Sequence, residues 1–179
     1  MDSNSAFRIP RSAIFLIGFM GSGKTTFGKK LAAKLKMEFV DLDREVIERQ
    51  KAESIKQIIV QNGFPFFRAV ESETMRLLDT NNKIISTGGG TPCHFDNLEW
   101  MKRRGKVIFL NVDEGVLLSR LKNTDLEERP LLKDLDEEGL KKFIHDKLAE
   151  RLPIYKQADI SFNPVGQKMD ELIELLNAK

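Results

Sequence analysis

Residues 18–25 read Gly-Phe-Met-Gly-Ser-Gly-Lys-Thr, directly after the apolar run Ala13–Ile17. Glycines let backbone N–H groups close around an anion without Cβ clashes, and a helix starting at the loop adds partial positive charge. Lys24 can then reach the outer phosphates, and the Thr25 hydroxyl can ligate a hard cation such as Mg²⁺. This chemistry needs a strand before the loop and a helix after it. Ala13–Ile17 suits a buried parallel strand, and Lys29, Lys30, Lys34 and Lys36, interleaved with Leu31, Ala32, Ala33 and Leu35, give an amphipathic helix. Motif and context agree on a bound nucleoside triphosphate, ATP being the expected one.

Other residues carry two readings each. Asp41 and Asp43 close a strand-like run, Glu38-Phe39-Val40-Asp41-Leu42-Asp43; residues two apart on a strand face the same way. They are a metal-supporting and hydroxyl-binding carboxylate pair, or a solvated strand end with a helix N-cap. Gly88-Gly89-Gly90 marks a tight turn, a close approach of ligand to bare backbone, or both. Arg68 lies one helical turn before Glu71, as a surface ion pair or as an oriented grip on a ligand carboxylate, and Arg151 is open to the same alternatives. Arg129 is a solvated loop arginine, or a lid residue that neutralises charge on a transferring phosphoryl group. Cys93 reads as a small packing residue, since one Cys and one His make no metal site.

The positioning elements follow from the pattern. Helical periodicity covers residues 44–50, 54–61 and 66–78, with Gly63 breaking between the last two. Strands are expected at residues 83–86, 107–112 and 160–162, and further helices at 97–104, through Lys122 with Asp113 as its capping residue, from about 137 past Arg151, and 168–177. Gly105 ends the helix that carries Lys102-Arg103-Arg104. Alternating strands and helices predict an α/β fold, with a mostly parallel five-stranded sheet in a three-layer α/β/α arrangement. Ligands in such sheets bind at the carboxyl ends of the strands, where the phosphate loop, the aspartate pair and the glycine triplet should meet.

The 179 residues predict one domain over residues 13–179, after a polar leader at 1–12. A net charge of +2 with dispersed basic residues gives no electrostatic case for nucleic acid. No apolar run approaches a membrane span or signal core, and a single cysteine excludes an internal disulfide, so a cytoplasmic protein is expected. The sequence shows no large exposed apolar stripe, so a monomer is expected.

In order along the chain, Gly-Phe-Met-Gly-Ser-Gly-Lys-Thr, Asp41-Leu42-Asp43, Phe67-Arg68 with Glu71, Ser86-Thr87-Gly88-Gly89-Gly90, Arg129-Pro130-Leu131-Leu132 and Arg151 with Tyr155 resemble the shikimate kinase family. The resemblance covers about residues 13–178. It implies the P-loop fold of the nucleoside-monophosphate-kinase type and ATP-dependent phosphorylation of shikimate on its 3-hydroxyl. It also implies roles. Lys24 and the amides of Gly21, Ser22, Gly23, Thr25 and Thr26 hold the triphosphate, with Thr25 and Asp41 serving Mg²⁺. Asp43 binds the acceptor hydroxyls, Arg68 and Arg151 clamp the shikimate carboxylate, and Gly89 and Gly90 add backbone contacts. Arg129 is matched to the lid arginine and Arg120 to the residue stacked on adenine. Residues 44–78 match the acceptor-binding segment and 123–136 the lid. Thr91-Pro92-Cys93-His94 departs from the familiar pattern. The rival readings are a kinase of another small acid, such as gluconate, and a non-catalytic nucleotide-binding regulator.

Overall fold

The computed structural model describes residues 12–123, 132 and 135–177. Among these residues, five strands form one sheet: β1 (Ala13–Ile17), β2 (Glu38–Asp41), β3 (Lys83–Ser86), β4 (Gly105–Leu110) and β5 (Ile160–Phe162). The order is β2-β3-β1-β4-β5, and all four pairings are parallel. Among the described residues, seven helices connect and cover them: α1 (Lys24–Leu35), α2 (Leu42–Gln50), α3 (Ile55–Leu77), α4 (Asn97–Arg104), α5 (Glu114–Lys122), α6 (Glu137–Tyr155) and α7 (Met169–Asn177). A short 3₁₀ turn at Thr91–Cys93 follows the glycine triplet.

β1 is buried along its whole length, as a central parallel strand should be. Its side chains alternate. Ile14 and Leu16 pack with Leu31, Ala32, Leu172 and Leu176 from α1 and α7. Ala13, Phe15 and Ile17 pack with Met75, Trp100, Met101 and Tyr155 from α3, α4 and α6. Two apolar layers on opposite faces of one sheet make the three-layer arrangement that the strand–helix alternation implied. At the carboxyl ends of the strands, Phe19 of the phosphate loop packs with Leu117, Leu121, Leu132, Leu140, Ile144 and Leu148, which fixes α5 and α6 beside the loop.

Two local expectations are corrected. β2 ends at Asp41, and Leu42 and Asp43 already belong to α2. Asp41 is therefore the N-cap of α2, and its carboxylate accepts the Asp43 N–H at 3.2 Å. The cap won over strand alternation because its side chain satisfies an orphan helix donor. Gly105 ends α4 as expected, with an extended backbone; a Cβ there would lie 1.9 Å from the Ala13 carbonyl oxygen of the neighbouring strand. Asp113 precedes α5 but makes no side-chain capping bond.

The break at Gly63 is present. Its φ of 84° and ψ of 166° separate two helical halves within α3. Pro65 then sits in the first turn of the second half, where a missing N–H costs no hydrogen bond. The second half carries Arg68 and Glu71. Val46, Ile58, Phe67 and Val70 tie it to α2 in a core of its own.

Candidate active site

The phosphate loop leaves β1 with positive φ at Gly18, Gly21 and Gly23, and α1 starts at Lys24. Lys24 is nine-tenths buried and its Nζ donates to the carbonyls of Gly18 and Phe19, at 2.9 and 3.0 Å, which suspends the ammonium inside its own loop. Thr25 and Thr26 follow in the exposed first turn of α1, where amides and helix dipole favour an anion. Gly21, Ser22 and Gly23 supply the loop between. Arg120, on α5, reaches back to donate to the carbonyls of Gly21 and Ser22, at 3.0 and 3.3 Å. These two bonds tie α5 to the loop.

Thr25 Oγ1 donates to Asp41 Oδ2 at 2.9 Å. A hydroxyl and a carboxylate, adjacent and at the mouth of a phosphate loop, form a hard oxygen donor set that fits Mg²⁺. This pair comes from the last residue of β2 and the first turn of α1, so the parallel sheet holds it in place.

Asp43 turns the other way, into a cavity of about 390 Å³, a volume suited to a small organic ligand. That cavity is lined by Asp43, Arg68, Glu71, the glycine triplet and Arg151, with an apolar wall that includes Ile47, Ile59 and Phe67. Burial pushes the Asp43 carboxyl up to about 6, the nearby Glu71 and Asp41 carboxylates push the same way, and Lys24 and Arg68 oppose them. This value stands well above the ordinary aspartate value, near 3.9. Asp43 becomes a base near its working range at neutral pH.

Arg68 NH1 bonds Glu71 Oε2 at 2.6 Å, one helical turn away, and its guanidinium lies 4.7 Å above the Phe67 ring. Of the two readings open for this pair, a surface ion pair is excluded, because the Glu71 side chain has no solvent exposure. The other Glu71 oxygen accepts from Thr91 Oγ1 at 2.6 Å. Arg151 is also buried, with its guanidinium 5.6 Å from the Phe19 ring.

The glycine triplet runs between these charges. A Cβ at Gly88 would lie 2.5 Å from Glu71 Oε1 and 3.1 Å from Asp43 Oδ1. One at Gly90 would lie 2.5 Å from Arg68 NH2, while one at Gly89 would stand 3.4 Å from Arg151 NH1 and from Met20 N. The bare backbone is needed at Gly88 and Gly90, where Glu71, Asp43 and Arg68 crowd it. Next to the triplet, Cys93 packs against the core, and burial raises its thiol to about 11, which fits the packing role expected of it.

Lys24, Thr25, Asp41, Asp43, Arg68, Gly89, Gly90 and Arg151 therefore converge at the carboxyl end of the sheet. Arg129 and most of the 123–136 segment lie outside the described residues, as does the 1–12 leader apart from Ser12. Sequence reasoning missed the Thr91–Glu71 bond, which has no local signature across twenty positions. It also missed the apolar wall, whose signal was the helical spacing of Ile55 and Ile59 on the segment that carries Arg68. Among the described residues, no helix is long and apolar enough to cross a membrane.

Comparison with known proteins gives one family. The family model for shikimate kinase matches residues 20–177. A shikimate kinase of Bacteroides thetaiotaomicron is 39% identical over 174 residues, covering 90% of this chain and 98% of that protein. The solved shikimate kinase of Acinetobacter baumannii, in complex with shikimate, superposes with a TM-score of 0.81 at 30% identity, covering 94% of this chain and 92% of that one. A gluconokinase of Sinorhizobium meliloti shares the fold alone, with a TM-score of 0.55 at 17% identity over 94% of this chain and 90% of that one.

Proposed function

The chain belongs to the shikimate kinase family, and on that premise we propose that it transfers the γ-phosphoryl group of ATP to the 3-hydroxyl of shikimate, giving shikimate 3-phosphate and ADP. The observation that carries this reading is the convergence of Arg68, Arg151 and Asp43 on one cavity beside the phosphate loop. Two cations face an anionic group, a carboxylate faces a hydroxyl, and apolar side chains face a carbocyclic ring.

The triphosphate lies against the amides from Gly21 to Thr26, with Lys24 leaving its loop carbonyls to meet phosphate oxygens. Thr25 and Asp41 would hold Mg²⁺, directly or through water; when bound it neutralises charge on the phosphates. Arg68 and Arg151 hold the shikimate carboxylate, and Gly89 and Gly90 bring backbone amides to the same ligand. Asp43 accepts a hydrogen bond from the attacking hydroxyl, and at about 6 its carboxyl is matched to taking that proton as the bond to phosphorus forms. The transition state is loose, so positioning and charge neutralisation supply most of the acceleration. Arg129 is assigned the lid cation on the transferring group, and Arg120 the stacking contact on adenine.

The division into a leader at 1–12, a single catalytic domain at 13–179, an acceptor segment at 44–78 and a lid at 123–136 belongs to the same reading. So does action as a cytoplasmic monomer. The test is ADP release followed by a coupled assay with shikimate, with gluconate and with no acceptor. Release that requires shikimate supports the proposal. Release with gluconate, or none with either acid, would replace it with one of the two rivals.

A further inference from the structure

The hydroxyl of Tyr155 donates a hydrogen bond to the carbonyl oxygen of Gly89. Tyr155 is fully buried at the end of α6, its ring tilted against Phe109 with centroids 5.1 Å apart. The described peptide bonds contain no cis linkage, so the N–H of Gly90 points opposite to the Gly89 carbonyl. With that carbonyl turned into the core, the Gly90 N–H turns toward the cavity that the triplet lines. Among the described residues, neither the Gly89 nor the Gly90 N–H donates to a protein acceptor. Backbone donors at a cavity wall without a protein partner are placed for a ligand.

This orientation needs a lock. Turning a peptide plane over changes mainly ψ of the residue before it and φ of the residue after it. Both residues here are glycine, which opposes neither change. A flipped plane would present the Gly89 carbonyl oxygen to an anionic acceptor in place of a donor. The glycines that admit the charged side chains thereby leave the peptide free to turn, and one hydroxyl restrains it. Tyr155 lies one turn beyond Arg151 on α6, so a single helical turn carries both the arginine and the restraint.

We propose that Tyr155 is a positioning residue for the acceptor: its hydroxyl holds the Gly89–Gly90 peptide in the orientation that presents the Gly90 N–H to the acceptor. The proposal rests on the reading of this cavity as the shikimate site. Burial raises the phenol well above its ordinary value, so the hydroxyl remains a donor through the assay range.

The experiment is steady-state kinetics of Tyr155→Phe, which keeps the ring and removes only the hydroxyl. KM for shikimate should rise about 3- to 30-fold, the loss of roughly one hydrogen bond, with KM for ATP nearly unchanged. Phe109→Leu is the companion variant; it loosens the packing and keeps the hydroxyl, and should lower Tm without changing the ratio of the two KM values. An unchanged KM for shikimate in Tyr155→Phe, an equal rise in both KM values, or the same ratio change in Phe109→Leu would overturn the proposal. Wild-type enzyme without shikimate-dependent ADP release would overturn the function and this inference together. An active wild type with an unaffected Tyr155→Phe overturns the inference alone.

Discussion

Glu71 bonds Arg68 at 2.6 Å across one turn of α3 with no solvent exposure of its own. Its second oxygen takes the Thr91 hydroxyl, and the Thr91 carbonyl takes the amide of buried Asn97, at 2.8 Å, so the pair is wired into the start of α4. Such a carboxylate is expensive to bury and cannot be explained by stability, because hydrophobic replacements of buried ion pairs are often neutral or better. What it supplies is a fixed guanidinium. Arg68 arrives at the cavity with one of its faces already committed, leaving the other for a ligand.

Arg68→Ala separates the two consequences of that pairing. Shikimate affinity should fall roughly 10- to 150-fold, from the loss of a charged contact of about 1.5–3 kcal/mol, with ATP affinity nearly constant. The protein should also lose stability, since Glu71 keeps a buried charge without its cation. Adding Glu71→Gln should recover Tm while leaving shikimate affinity low. Titration calorimetry with each ligand and thermal unfolding of both variants check this; recovery of affinity in the double variant would sink the clamp assignment.

Gly90→Ala should act on kinetics more than on stability. The added Cβ would meet Arg68 NH2 at 2.5 Å, and that atom is the far end of a flexible side chain, so the guanidinium moves rather than the fold. KM for shikimate should rise at least about 10-fold, as for loss of a charged hydrogen bond, while Tm falls by less than in Arg68→Ala, where Glu71 loses its cation outright. Gly89→Ala, whose nearest neighbours stand at 3.4 Å, should cost less. Comparing KM for the two variants gives the order, and the reverse order contradicts the geometry.

Much of this was legible in the sequence because it is local. The loop, Gly63, the glycine triplet and the Arg68–Glu71 spacing each mark a backbone event or a helical neighbour that short-range rules reach. Asp43 was reached by a wrong route: strand alternation put it beside Asp41 on one face, whereas it enters the cavity because Asp41 caps α2 and turns the chain. The raised carboxyl of Asp43 was not legible at all. It depends on burial and on Glu71, and no spacing in the sequence announces that these two acids share a cavity.

The Asp43 carboxyl gives a stability prediction with a definite sign. A folded value near 6, raised above the ordinary 3.8, means that the native state binds the proton more tightly than the unfolded chain does. Stability should therefore fall as pH rises between about 4 and 6, and the penalty is fully present above that window. Asp43→Asn should then raise Tm at pH 8 by roughly 2–8 °C and lose the advantage below about pH 4, where both side chains are neutral. Differential scanning calorimetry without nucleotide or divalent cation reads this directly. A Tm gain that persists unchanged at low pH would refute it.

Asp41→Asn tests the metal pair without disturbing the fold. Asparagine caps a helix about as well as aspartate, so α2 should still start at residue 42 and Tm should hold. The charge opposite the Thr25 hydroxyl is lost. The Mg²⁺ concentration giving half-maximal rate should rise about 10- to 100-fold, with the rate recovering at high Mg²⁺. Chelation should abolish turnover of wild type and variant alike. An unchanged Mg²⁺ dependence would mean that Asp41 is a cap and nothing more.

Arg129 can be tested through rates, because a lid cation and a solvated loop arginine predict different kinetics. A cation delivered to the transferring phosphoryl group acts on the transition state, so its loss lowers kcat and kcat/KM together. Arginines in that role elsewhere contribute on the order of 10³-fold or more, so Arg129→Ala should lower kcat by about that factor. Shikimate affinity in the absence of ATP should stay within about twofold, since the acceptor contacts are made by Arg68, Arg151 and the glycine backbone. Arg129→Lys should recover little, because a point charge lacks the planar fork that spans two phosphate oxygens. Rapid-quench measurement of the chemical step decides the matter: an intact rate in Arg129→Ala would return Arg129 to the solvated surface and leave Lys24 and the metal pair to carry the charge.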